Sequence, residues 1–86
     1  MATHKSATKR ARQDLVRRAR NRDQRSRVRG AIRQARAAIA LGDAGEANSA
    51  VRRAESLLRR ATSKGVLHSK TASRQISRLA KAVQAL

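Results

Sequence analysis

The segment Ala38-Ile39-Ala40-Leu41-Gly42-Asp43-Ala44-Gly45-Glu46 decides how this chain folds. Up to Leu41 the chain is rich in Ala, Arg and Leu and carries a helical repeat of apolar residues. Gly42 interrupts it. Asp43 stands three residues before Glu46, and Asp-x-x-Glu ahead of a periodic apolar run marks a helix start, with Asp43 as N-cap and Glu46 in the first turn. One helix ends here and another begins after a turn too short to do anything but reverse direction.

Working outward, no Pro breaks the chain anywhere and four Gly residues supply most of the punctuation. Gly65, preceded by Lys64, reads as a left-handed C-cap with a cation in the last turn. Ser69 is the expected N-cap of a third helix. The spacing predicts helices over about 6–41, 44–64 and 70–86. Val28, Ile32, Ala35 and Ile39 give the first an apolar stripe. Ala47, Ala50/Val51, Ala54, Leu57/Leu58 and Ala61 do so in the second, and Ala72, Ile76, Leu79, Val83 and Leu86 in the third. Val66 and Leu67 would plug the end of the seam. The expected fold is all-α: a single domain over 1–86, an antiparallel three-helix bundle whose first helix extends beyond the bundle at its N-terminal end.

That extension follows from length. At 1.5 Å per residue the three helices would measure roughly 54, 31 and 25 Å. If the second starts beside residue 41, it runs out of partner near Asn21. Residues 6–20 then overhang by roughly 22 Å. Ala11, Leu15 and Ala19 form a weak stripe turned away from the Val28–Ile32 face, so they cannot share that core. Like charges four residues apart (Arg18 with Arg22, Arg25 with Arg29) each oppose the helix by a few tenths of a kcal/mol. The basic extension over residues 1–20 is therefore expected to be largely disordered in the free protein and helical when bound.

Composition narrows the function. Eighty-six residues without Phe, Tyr, Trp or Cys can build only a thin aliphatic core with no disulfide to reinforce it, and the missing Cys fits a cytoplasmic setting. Two distant His residues make no structural metal site. The longest apolar run, AAIAL at 37–41, is too short to span a membrane, and no aromatic anchor would hold a helix on one. The five acids are scattered, with no catalytic dyad, triad, phosphate loop or metal motif, so neither enzyme activity nor a cofactor or small-molecule substrate is expected.

Charge supplies the positive signal. The net charge is +17, from 17 Arg and five Lys against five acids. Arg can hold a phosphate through two parallel bonds, so the bias favours phosphate contact over mere solubility. Between Arg17 and Arg29 the run RRARNRDQRSRVR carries seven arginines and one acid. On a helix, Arg18, Arg22, Arg25, Arg29, Arg33 and Arg36 form a row about a quarter-turn from the core face. Lys9, Arg20 and Arg27 lie on the opposite flank. A helix basic on several sides calls for anion on several sides, as between nucleic-acid backbones. The lack of aromatics argues against single-strand readers that stack bases on rings. Sequence-specific DNA motifs are absent. Double-helical, folded RNA fits best, and a histone-like, non-specific DNA-compacting protein is the alternative. Gly30 lies opposite the core face, where a close phosphate backbone would find room; an incidental glycine fits that position as well.

These residues resemble the bacterial small-subunit ribosomal protein S-twenty family along nearly the whole chain. His4-Lys5-Ser6-Ala7-Thr8-Lys9-Arg10 is similar to the family's opening. Arg20-Asn21-Arg22, Arg25-Ser26 and Val28-Arg29 resemble its central basic block, and Gly42-Asp43 its first turn. Lys64-Gly65-Val66-Leu67-His68 with Ala72, Arg74, Ser77, Arg78 and Leu79 resembles its C-terminal signature, the most specific part. Lys70, Arg59, Ile76 and Gly30 depart from the family's usual Asn, Asp, Lys and Thr. The resemblance implies a ribosome-bound protein that binds small-subunit ribosomal RNA directly, among helices of the 5′ domain and at the penultimate stem, with few or no protein contacts. It implies backbone contacts from Lys5, Ser6, Lys9, Arg10, Arg22, Arg25, Ser26 and Arg29, and a second cluster of Lys64, His68, Arg74 and Arg78. Charge geometry adds Arg17, Arg18, Arg33 and Arg36.

Overall fold

A computed structural model describes residues 2–86, with side chains from Lys5 onward. It contains three helices: α1 (Ala2–Leu41), α2 (Ala44–Ser63) and α3 (Ser69–Gln84). The molecule is a rod of 64 × 20 × 13 Å. α1 and α2 pack antiparallel along their facing lengths, while α3 lies mainly on α2 and meets α1 along a shorter strip.

The packing of α1 on α2 is set by small residues. Gln24, Val28, Ala31, Ala35 and Ala38 are buried on α1; Ala47, Val51, Ala54, Leu58 and Ala61 are buried on α2. Both series alternate steps of four and three. This is the repeat that keeps one seam facing a partner helix. Ala35, Ala47, Ala54 and Ala61 are wholly buried, so the two backbones can approach closely. Here the structure corrects the sequence reading. The first-helix stripe was expected along Val28, Ile32, Ala35 and Ile39. Instead Ile32 and Ile39 stand at the seam's edge, half-buried, and Ala31 and Ala38 take the inner positions. An alanine-lined interface has no room for the larger side chains. They rotate towards the side that α3 covers, where Ile32 lines a groove with Gln75.

The turns follow their residue chemistry. Asp43 caps α2, its Oδ1 accepting from the Glu46 N–H at 3.2 Å, as the sequence predicts. At the other end Gly65 adopts φ +74, a left-handed conformation available to it without a Cβ. Its N–H donates to Thr62 C=O, and that of Val66 to Ala61 C=O at 2.9 Å. These two bonds form a Schellman motif, and Val66 packs beside Ala61 in the core.

Two further expectations are corrected. The N-cap of α3 is His68, not Ser69. His68 has extended backbone, its C=O takes the first helical bond from Ala72, and its Nδ1 accepts from the Lys70 N–H at 3.1 Å. The ring reaches the second helical N–H, so Ser69 becomes the first helical residue. At the C-terminus α3 stops at Gln84, and Leu86, expected in the stripe, is half exposed.

The overhang is longer than the sequence suggested, because α1 starts at Ala2 and burial starts only near Asn21. From Lys5 to Arg20 every side chain is exposed, Leu15 and Val16 included. No side-chain burial therefore supports this helix from Lys5 to Arg20, and like-charge repulsion opposes it. Amide exchange on the free protein is expected to be fast through residue 20 and slow along α1 from Val28. Strong protection before residue 20 would rule out coupled folding and binding.

Candidate nucleic-acid interface

The interface is built on α1, whose faces change character along its length. In the bundle, Gln24, Ala31 and Ala38 repeat by sevens into the seam. Continued outward, the same spacing reaches Arg17 and Arg10. The face that is apolar inside the bundle becomes cationic where α1 leaves it. Arg10 and Arg17 are exposed there, with Arg17 4.0 Å from Asp14. Lys5, Ser6 and Lys9 are exposed in the first turns. His4, part of the opening motif, lies outside the described side chains.

The long arginine row is intact and exposed: Arg18, Arg22, Arg25, Arg29, Arg33 and Arg36. Arg18, Asn21, Arg22, Arg25 and Arg29 line one shallow depression along it. Arg29, Ile32, Arg33 and Arg36 line a second, closed on its far side by Gln75 of α3. Arg29 belongs to both, so the row runs unbroken from the overhang into the α1–α3 groove. Ser26 is exposed beside it. On α3, Arg74 and Arg78 are exposed one turn apart, and neither lines that groove.

Lys64 stands apart from them. It joins Arg20, Asn21, Gln24 and Val66 around a recess where α1 emerges from the bundle. Of the expected second cluster of Lys64, His68, Arg74 and Arg78, Lys64 lines this recess. His68 caps α3 and is exposed as well. With Nδ1 accepting the cap bond, a neutral ring carries its proton on Nε2, which leaves a donor on an exposed side chain.

Few of these charges are neutralised within the chain. Asp14, Asp23 and Glu55 meet Arg17, Arg27 and Arg59 in exposed pairs at 4.0, 3.1 and 2.6 Å. Asp43 and Glu46 serve the start of α2. Of the 22 cationic side chains, three have an acidic partner and 19 have none among the described residues. Arg59 is held by Glu55 on the same helix. It borders a polar groove between α2 and α3 lined by Ser69, Ser73, Ser77 and Thr62. At Gly30 a Cβ would meet nothing within 4 Å, so no contact inside the protein demands glycine there.

Sequence reasoning missed Asn21, Gln24 and Gln75. A glutamine inside a basic run gives no sign that its turn of helix is the last one buried. The Gln75 side chain, expected nowhere in the interface, carries a buried Oε1 without a partner.

The description "Ribosomal protein S20" belongs to the family whose sequence model matches residues 2–84. The chain is 51% identical over 86 residues to a small ribosomal subunit protein bS20 of Desulfovibrio desulfuricans, covering all of this chain and 97% of that one. It is 52% identical over 86 residues to the protein of that name from Acidiphilium cryptum, covering 100% and 96%. For the one from Sulfurimonas denitrificans the identity is 46% over the full length of both.

Proposed function

Because the chain belongs to the ribosomal protein S20 family, a family of structural rather than catalytic ribosomal components, we propose that it is a ribosome-bound, cytoplasmic constituent of the small subunit that binds the subunit's RNA directly. Its part is to stabilise the folded 5′ domain and its contact to the penultimate stem, with few or no protein contacts. The observation that supports direct RNA contact is the exposed cationic surface of α1, on which only Arg17 and Arg27 have acidic partners among the described residues.

Where RNA helices converge, their phosphates repel one another. A rigid rod with arginines on several faces can sit between them and bond to each. Lys5, Ser6, Lys9, Arg10, Arg17 and Arg18 would serve the overhang. Arg22, Arg25, Ser26, Arg29, Arg33 and Arg36 would serve the groove side, Arg74 and Arg78 the exposed side of α3, and Lys64 and His68 the α2–α3 link. Each neutralised phosphate releases condensed counterions, so affinity should fall by about 10³–10⁵ between 50 and 200 mM salt for six to ten contacts. The bundle anchors the rod, because only part of α1 is held by apolar burial.

Chemical protection of small-subunit ribosomal RNA, with and without the protein, tests this reading. Protected backbone should cluster in the 5′ domain and the penultimate stem and survive an excess of bulk duplex DNA. Protection that DNA competes away at equal concentration would instead favour a non-specific compacting protein.

A further inference from the structure

We propose that the recess where α1 leaves the bundle is a socket for one unpaired RNA nucleotide, with its phosphate held by Arg20 and Lys64 and its base edge read by Gln24. The inference rests on the RNA-binding reading above and adds to it a site that recognises something other than phosphate.

Gln24 carries the argument. It occupies a seam position, four residues before Val28 in the repeat that otherwise holds Val and Ala, and it is only 8% exposed. Among the described residues its carboxamide makes no hydrogen bond. The amide atoms are not sealed from solvent, so they stay open towards whatever enters beside them. The side chain lines a recess of about 270 Å³ together with Arg20, Asn21, Lys64 and Val66. One wall is thus apolar, two side chains are amides, and two are cations with no acidic partner.

The electrostatics decide what enters. Lys64 is the C-cap of α2, so the recess lies at the partly negative end of that helix. A bare anion deep inside is opposed by it. A phosphate at the rim, between the two cationic side chains, is not. The interior then suits a neutral group with both donors and acceptors, which a carboxamide matches through two parallel bonds. A nucleobase is such a group, and it must be unpaired to present its pairing edge to Gln24 inside the recess. Lack of aromatic residues does not stand in the way. One extruded base needs an edge partner and the plane of Arg20, not a stacking platform along a strand.

The test uses the full chain, the Gln24→Leu and Gln24→Met variants, and small-subunit ribosomal RNA as probe. Both variants should melt close to the parent temperature, because each keeps a side chain of similar length at this seam position. They should bind about ten-fold more weakly with an unchanged salt slope, since no phosphate contact is lost. One unpaired base protected by the parent should regain its reactivity, while backbone protection beside it persists. Arg20→Ala and Lys64→Ala together should instead flatten the salt slope by about 0.7, the contribution of the one single-stranded phosphate they share. Parent-like affinity and base protection in both Gln24 variants would overturn the socket alone. A parent chain that protects no ribosomal RNA would overturn the function reading along with it.

Discussion

Replacing Arg22, Arg25 and Arg29 together with alanine is expected to lower affinity for small-subunit ribosomal RNA by about a thousandfold at 50 mM salt. The three lie in one exposed row, and none has an acidic partner among the described residues. Three phosphate contacts contribute about 2.7 to the slope of log affinity against log salt, so the loss should shrink steadily as salt rises towards 1 M. Removing like charges four residues apart also relieves repulsion, and alanine is the best helix former. The melting temperature should therefore hold or rise. A parent-like salt slope would mean that this row faces water in the complex, and the clamp would have to be sought on the opposite flank.

The largest loss of stability should come from Leu58→Ala, by about 2–5 kcal/mol in chemical denaturation. Leu58 is 1% exposed and joins Val28 and Ala61 to Val66 and Ala72. It is the bulkiest fully buried side chain in the molecule. The surrounding core is mostly alanine and valine, which have no spare length to fill the space left. A domain of this size commonly has only about 4–13 kcal/mol in total, so such a loss could unfold the α2–α3 hub outright. The same change at Leu57, which is half-buried, should have a smaller effect. Equal effects at the two positions would show that α2 is rotated in the native protein. Ribosomal RNA should partly rescue the Leu58 variant, because binding only the folded form shifts the equilibrium towards it.

The architecture was legible because its signals are local. Gly42-Asp43-x-x-Glu46 and Gly65 set the turns by backbone geometry and capping, and both behave as their chemistry predicts. The overhang was legible because helix length is proportional to residue count. The inner face of α1 was less so. Ile32 and Ile39 attract a reading based on hydrophobicity alone, yet close backbone approach favours Ala31 and Ala38. That preference exists only once α2 is in place. The cap of α3 shows the same limit on a smaller scale: Ser69 is the commoner capping residue, but the His68 ring can reach the Lys70 N–H from one residue earlier.

Residue order along the chain was enough to determine the three helices, their reversal at Gly42 and the cationic character of the long one. Those properties depend on neighbours a few positions apart. Which cations share a surface was decided by tertiary packing. Gln75 was brought to the α1 row across a groove, Lys64 was set beside Arg20, and Gln24 was placed at the edge of burial. The reason is geometric: a charge on one helix acquires its neighbours on another only when the crossing, spacing and register of the two are fixed by what they bury.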